Sequence, residues 1–235
     1  NLKIKNFYTY GVNRNSNFLI KNIKLEKKGS EYDLEIRLPN KKNLIIKKIF
    51  IPLLGLHNIQ NSVAAAAVAL TTGVSIKNVK DGLRNFKGVQ RRFNKIFNFR
   101  NVDFYDDYAH HPTEIKEVLN GVDKVYKNFE KICVFQPHRI SRLKDLRKEF
   151  SSSFKKSNLV LLCPIYTAGE KIELGFSYNF FAKEIIRNSG VKVIIINNKK
   201  TLRNYVKQNI YGKKIVIGMG AGSISSWMRE LPDLI

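Results

Sequence analysis

The sequence predicts an α/β protein in two parts, strands plus two helices first, then a mostly parallel sheet with helices on both faces. Three observations carry that expectation. Residues 1–54 hold short β-patterned runs separated by turn residues. Residues 57–86 hold two helical patterns divided by Gly73. From Phe93 onward, apolar runs alternate with amphipathic stretches, as in a sheet buried on both sides.

Taken in order, the first strands fall at residues 7–12, 17–28, 32–39 and 43–51. A helix runs from His57 to Leu70, and a second, opened by Ser75 as its N-cap, from Ile76 to Phe86. Residues 87–92 (KGVQRR) break the pattern with glycine and charge, so the domain boundary is placed there: residues 1–88, then 89–235. In the second part, strands are expected at Phe93–Phe99, Val102–Tyr105, Lys131–Phe135, Leu159–Cys163, Lys192–Ile196 and Lys214–Ile217. Helices are expected between them at Pro112–Lys127, Arg142–Lys155, Tyr178–Asn188 and Lys200–Asn209.

Composition narrows the function. The 235 residues are 43% hydrophobic and 26% charged, which argues against wholesale disorder. No apolar run approaches the ~20 residues that span a bilayer, and the first residues lack the apolar block of a signal peptide, so a cytoplasmic protein without membrane contact is expected. The net charge of +23 draws anions, but the lysines are scattered among Asn and Ile with no nucleic-acid motif, so nucleic acid is not expected as a partner. Cys133 and Cys163 lie in apolar runs without CxxC spacing and read as buried thiols.

The chemistry gathers at strand ends. DDYAHHP follows VDFY, QPHRISR follows KICVF, PIYTAGE follows LVLLC, and GMGAGS follows KIVI. In open α/β sheets ligands bind beyond the carboxyl ends of the strands, so the four clusters describe one crevice. Three of the four histidines, His110, His111 and His138, fall in them. Arg139 and Arg142, three apart at a helix start, suit a carboxylate. Asp106 and Asp107 suit ribose hydroxyls. The DDYAHHP cluster also has the composition of a metal site, but adjacent residues at a strand end diverge, so no metal site is assigned. In the first part, Asn58 and Asn61 share a helix face beside His57. Their carboxamides suit the edge of adenine, or else a helix cap and a solvated surface. Arg91 and Arg92 suit a phosphate, or else a solvated linker.

The motifs GLHNIQN, GVQRRF, DDYAHHPTEI, FQPHRISR, YTAGE and GMGAGS, in this order, resemble the Mur ligases, and among them the UDP-N-acetylmuramate–L-alanine ligases of peptidoglycan precursor synthesis. The resemblance implies that residues 1–88 are the later part of a central ATP-binding domain, and residues 89–235 a C-terminal Rossmann-like domain for amino acid and nucleotide. It implies that His57, Asn58, Asn61, Arg92 and Asp107 meet ATP. It also implies that Tyr108, His110, His138, Arg139 and Arg142 surround L-alanine, with His110 or His138 as the catalytic base. UDP-N-acetylmuramate would be the third ligand. No GxxxxGK[ST] loop occurs in the 235 residues, so the triphosphate and Mg2+ are expected to be held mainly by a preceding part, and the chain alone to be inactive. Two other readings are a non-catalytic nucleotide-binding module and the related ligase that recycles murein tripeptide.

Overall fold

The computed structural model describes residues 7–39, 42–86, 88–171 and 177–234. The chain divides into two compact units, Asn1–Gly88 and Val89–Ile235.

The first unit has a four-stranded sheet of β1 (Tyr10–Gly11), β2 (Phe18–Glu26), β3 (Gly29–Ile36) and β4 (Leu44–Ile51) in sequential order. The β1–β2 pair is parallel, and the other two pairs are antiparallel. Two helices follow, α1 (Leu56–Thr71) and α2 (Ile76–Asn85). Ser75 caps α2 as expected, its hydroxyl accepting the Asn78 N–H at 3.2 Å. Ile59, Val63 and Ala66 of α1 and Val79 of α2 pack with Ile20, Leu34 and Ile49 of the strands. Within that core the Tyr32 hydroxyl is paired with Ser62 at 2.7 Å.

The second unit is built on six strands: β5 (Asn94–Phe99), β6 (Val102–Asp107), β7 (Glu130–Phe135), β8 (Leu159–Leu162), β9 (Lys192–Ile195) and β10 (Lys214–Met219). Their order across the sheet is β5-β6-β10-β7-β8-β9. Only β5 runs antiparallel to its neighbour, joined to β6 through Arg100 and Asn101, both at positive φ (49° and 64°), as a tight hairpin requires. Strand β10, last in the chain, is inserted between β6 and β7 and is parallel to both.

Alternate residues of each strand serve opposite layers. Cys133 and Phe135 face the layer of α3 (Pro112–Val125), α4 (Ile140–Asp145), α5 (Arg147–Ser151) and α6 (Tyr178–Ser189), with Ile115, Leu143, Phe150 and Phe181. Ile132 and Val134 face α7 (Lys199–Asn209) and α8 (Ile224–Glu230), with Leu202, Val206 and Met228. Cys163 lies in this second layer. Both cysteines are free and buried, and burial pushes the Cys133 thiol up to about 12 and the Cys163 thiol higher still.

Two expectations need correction. The single helix expected over Arg142–Lys155 is two short helices, broken at Leu146 (φ −110°, ψ 24°) and starting two residues earlier than expected. The chain also forms α8, which was not expected. Its apolar Ile224, Met228 and Leu231 recur at helical spacing, but the segment is only seven residues long and follows a glycine turn.

Phe104 is fully buried on β6 and stacks on Phe97 of the hairpin partner at 4.2 Å. Phe104→Ala is expected to destabilise the second unit by about 3–5 kcal/mol, the range for large-to-small changes in a packed core. Urea unfolding followed by tyrosine and tryptophan fluorescence checks this, and a loss below about 1 kcal/mol would contradict it.

Candidate functional site

The four motif clusters stand at the carboxyl ends of β6, β10, β7 and β8, four neighbouring parallel strands. Insertion of β10 between β6 and β7 sets the glycine-rich turn between DDYAHHP and QPHRISR. Close approach explains its glycines. A Cβ on Gly220 (φ +148°) would meet the Gln136 carbonyl oxygen at 2.6 Å, and one on Gly222 would meet Tyr166 Cγ at 2.5 Å.

Side chains lock this turn from both sides. Gln136 Oε1 accepts the Ile224 N–H at 2.9 Å, and its Nε2 donates to the Ser223 hydroxyl at 3.2 Å. The Arg91 guanidinium donates to the carbonyls of Gly220 and Gly222, lies 4.7 Å from the Tyr108 ring centroid, and has Nε 4.0 Å from Asp106 Oδ1. Arg91 is thus engaged by protein carbonyls. Asp106 is fully buried and takes the Ser225 hydroxyl at 2.6 Å and Arg229 at 3.1 Å. Asp107, expected at a ribose, is 2% exposed, and its two oxygens accept the N–H groups of Phe93 (2.8 Å) and Ala109 (2.7 Å). Burial pushes its carboxyl up to about 7, against those two bonds and Arg92, which pull it down.

The aromatic side chains form a row. Tyr108 meets His110 edge-on at 4.9 Å, His110 meets His138 at 5.9 Å, and His138 stacks on Tyr166 at 5.4 Å and 13°. Tyr108, His110, His138 and Arg142, all expected around one ligand, are therefore brought together. His111 does other work: it caps α3 in a reciprocal capping box with Glu114. Glu114 also accepts the His110 N–H at 3.0 Å and lies 3.8 Å from Arg92.

The hydrogen-bond partners assign the imidazole tautomers. His110 Nδ1 is 2.9 Å from the Tyr108 carbonyl, which only accepts, so Nδ1 carries the proton and Nε2 the lone pair. Arg142 only donates, and its Nη1 lies 3.3 Å from His138 Nδ1, so in the neutral ring Nε2 carries the proton. Burial, then Arg142, His110 and Arg139, holds the His138 imidazole below its usual range.

Arg139 is exposed and opens α4 with φ 68° and ψ 133°, a region poorly populated by residues with a Cβ and costing about 1–3 kcal/mol. A carboxylate of the chain itself stands at this helix start. Glu170 accepts the Ser141 N–H at 3.0 Å and its hydroxyl at 2.7 Å. Glu170, Tyr166 and Gln136 were quoted in the motifs without a role, because their partners lie on other strand ends.

In the first unit, Gly55 rather than Asn58 is the N-cap of α1. Asn58 is buried, and its amide donates to the Leu54 carbonyl at 2.8 Å, whereas Asn61 is exposed and His57 half-buried. Among the described residues, no group of three or more His, Cys, Asp or Glu is arranged to hold a metal ion. No helix among them is long and apolar enough to cross a membrane.

The second unit is an open α/β domain with its polar clusters at the carboxyl ends of the central strands, the end at which folds of this class take their ligands. The chain belongs to the Mur ligase family: residues 91–222 match the Mur ligase glutamate ligase domain, and residues 1–69 the Mur ligase middle domain. It is 66% identical over 234 residues to the UDP-N-acetylmuramate–L-alanine ligase of Pelagibacter ubique, covering 100% of this chain and 50% of that protein. The same-named protein of Rickettsia canadensis is 36% identical, with 95% of this chain and 48% of the relative covered. The chain thus spans about half the length of the curated relatives it matches. Its fold is like that of the UDP-N-acetylmuramate–alanine ligase of Thermotoga maritima, with TM-score 0.76, 21% identity, and 96% of this chain and 47% of that chain covered. A murein peptide ligase from Psychrobacter arcticus gives 0.65 at 18% identity, covering 96% of this chain and 45% of that chain.

A raised Asp107 pKa means that its contribution to stability is present below about pH 4 and is lost as pH rises through 7. Asp107→Asn removes that titration at the cost of one backbone bond. The unfolding free energies of wild type and variant, from urea titrations, are therefore expected to converge between pH 5 and 7.5, by on the order of 2–3 kcal/mol. Parallel pH profiles would contradict this. For His138, nitrogen-15 NMR is expected to show the Nε2–H tautomer and a midpoint below 6.5, and Arg142→Ala is expected to raise the midpoint. An unchanged midpoint in the variant would remove Arg142 as a cause.

Proposed function

We propose that this chain is the catalytic-domain portion of a cytoplasmic ligase that joins L-alanine to UDP-N-acetylmuramate at the expense of ATP. Residues 1–88 would supply part of the ATP-binding domain and residues 89–235 the amino-acid domain. The observation that carries the reading is the convergence of Tyr108, His110, His138 and Arg142 at adjoining strand ends. The name of the Pelagibacter ubique relative supports the choice of substrates.

A carboxylate resists attack by an amine because its oxygen is a poor leaving group. Phosphorylation of the muramoyl carboxylate by ATP gives an acyl phosphate and releases ADP. The alanine amine then attacks the acyl carbon, the tetrahedral intermediate expels phosphate, and the amine proton passes to a base. In this reading Arg142 and Arg139 grip the alanine carboxylate, a planar anion suited to guanidinium. The two histidines divide the remaining work. His110 offers a lone pair at Nε2 and takes the amine proton, while His138, its Nδ1 engaged by Arg142, donates from Nε2 and orients the substrate. Holding the amine in line contributes several kcal/mol in favourable cases. His57 and Asn61, supported by Asn58, would meet adenine. Arg92 would meet phosphate or ribose, with Asp107 holding its backbone turn from below. No residue of these 235 is assigned to the triphosphate or to Mg2+.

The test is a fusion of the preceding half of the Pelagibacter ubique ligase to this chain. The chain alone is expected to release no phosphate from ATP with UDP-N-acetylmuramate and L-alanine, and the fusion to release it only with both. In the fusion, Arg142→Ala should raise the KM for alanine roughly tenfold to a hundredfold and leave that for ATP nearly unchanged, as loss of a charge-assisted bond of about 1.5–3 kcal/mol implies. Asn61→Ala should do the reverse. A loss of ATP saturation in the arginine variant would move Arg142 to the phosphate site and sink the assignment.

A further inference from the structure

The segment after β8, residues 164–170, does more than connect. Its backbone is tied to the QPHRISR turn: the Tyr166 N–H donates to the Pro137 carbonyl at 2.8 Å, and the Arg139 N–H to the Tyr166 carbonyl at 2.9 Å. Residues 138 and 166 thereby form a parallel bridge outside the main sheet. The Tyr166 ring stacks on the His138 imidazole and stands where a side chain on Gly222 would lie. Beyond it, Ala168 (φ 53°) and Gly169 (φ 89°) turn the chain back on itself, with Glu170 N–H bonded to the Thr167 carbonyl at 3.1 Å. That turn delivers the Glu170 carboxylate to Ser141, where it takes both the N–H and the hydroxyl.

Helix α4 has no cap of its own. Arg139 occupies the cap position without a side-chain bond, in a strained conformation that the helix start does not reward. Two non-glycine residues at positive φ, Arg139 and Ala168, thus stand on the two segments that Glu170 pins together. Such backbone persists only where its surroundings over-determine it, and it collects at sites of binding and catalysis. Glu170 supplies from another loop the acceptor that α4 lacks.

We propose that Glu170 and Tyr166 are positioning residues: a strap in which the Glu170 carboxylate caps α4 and the Tyr166 ring backs His138, together fixing His138, Arg139 and Arg142 for an amino-acid carboxylate. The strap itself is a property of the second unit. Its service to alanine rests on the reading of the crevice given above.

The experiment has two arms. In the 235-residue chain, the stacked Tyr166 ring shifts the His138 carbon-bound ring protons upfield, and Tyr166→Leu sets the position of full loss. Glu170→Ala should move these protons most of the way to that position. Glu170→Gln, whose amide still accepts the Ser141 N–H, should leave them near wild type. His138 signals unmoved in Glu170→Ala would overturn the strap. If Glu170→Ala does not fold, Ser141→Ala removes one of the two contacts and should give a partial shift, and no shift would again overturn it. In the fusion enzyme, Glu170→Ala should raise the alanine KM by roughly fivefold or more, the weight of a helix cap, with ATP saturation unchanged and Glu170→Gln restoring it. Released His138 signals with unmoved alanine KM would keep the strap and overturn its role toward alanine, and with it the amino-acid reading of the crevice.

Discussion

The second unit depends on the insertion of β10 between β6 and β7. A parallel strand that returns to the middle of the sheet must end with its turn wedged among the ends of its neighbours. The wedge is possible only because Gly218, Gly220 and Gly222 carry no side chain where Met228, the Gln136 backbone and Tyr166 already stand. Once that turn is in place, its carbonyls become the acceptors that draw Arg91 inward, and Arg91 in turn offers a cationic face to Tyr108. Tyr108, His110, His138 and Tyr166 then follow one another across the crevice. The absence of three side chains thus shapes the ends of the neighbouring strands.

Buried charge is handled in two ways at this end of the sheet. Asp106 holds Ser225 and Arg229 at one oxygen, Oδ2, and so ties β6 to α8. Asp107, one residue on, accepts two backbone N–H groups, and desolvation outweighs them and Arg92 in its ionisation. Neighbouring acids of the same motif therefore carry different duties, one joining elements and one shaping the turn that presents Arg92. The difference follows from the alternation of side chains along a strand.

Much of the fold was legible in the sequence because it rests on local pattern: alternation or apolar runs for strands, helical spacing and the Ser75 cap for helices. The break at Leu146 and the brief α8 were not, since both are decided by packing on the sheet rather than by their own composition. The crevice was legible as a set of motifs at strand ends, and Tyr108, His110, His138 and Arg142 do meet there. What could not be read was which polar group answers which. Ser141 at the start of α4 is answered by Glu170 of the chain itself, and Arg91, weighed as a phosphate ligand, is engaged by glycine carbonyls. Such pairings join residues 29 and 129 positions apart, beyond the reach of any window of sequence.

The two thiols have a use that their inertness suggests. Cys133 belongs to the layer under α3 to α6, and Cys163 to the layer under α7 and α8, and both are sealed from solvent. Each side of the sheet therefore carries one concealed nucleophile, silent while its layer stays closed. The molecule holds a pair of native clocks, and the order in which an alkylating reagent finds them dates which side of the sheet opens first.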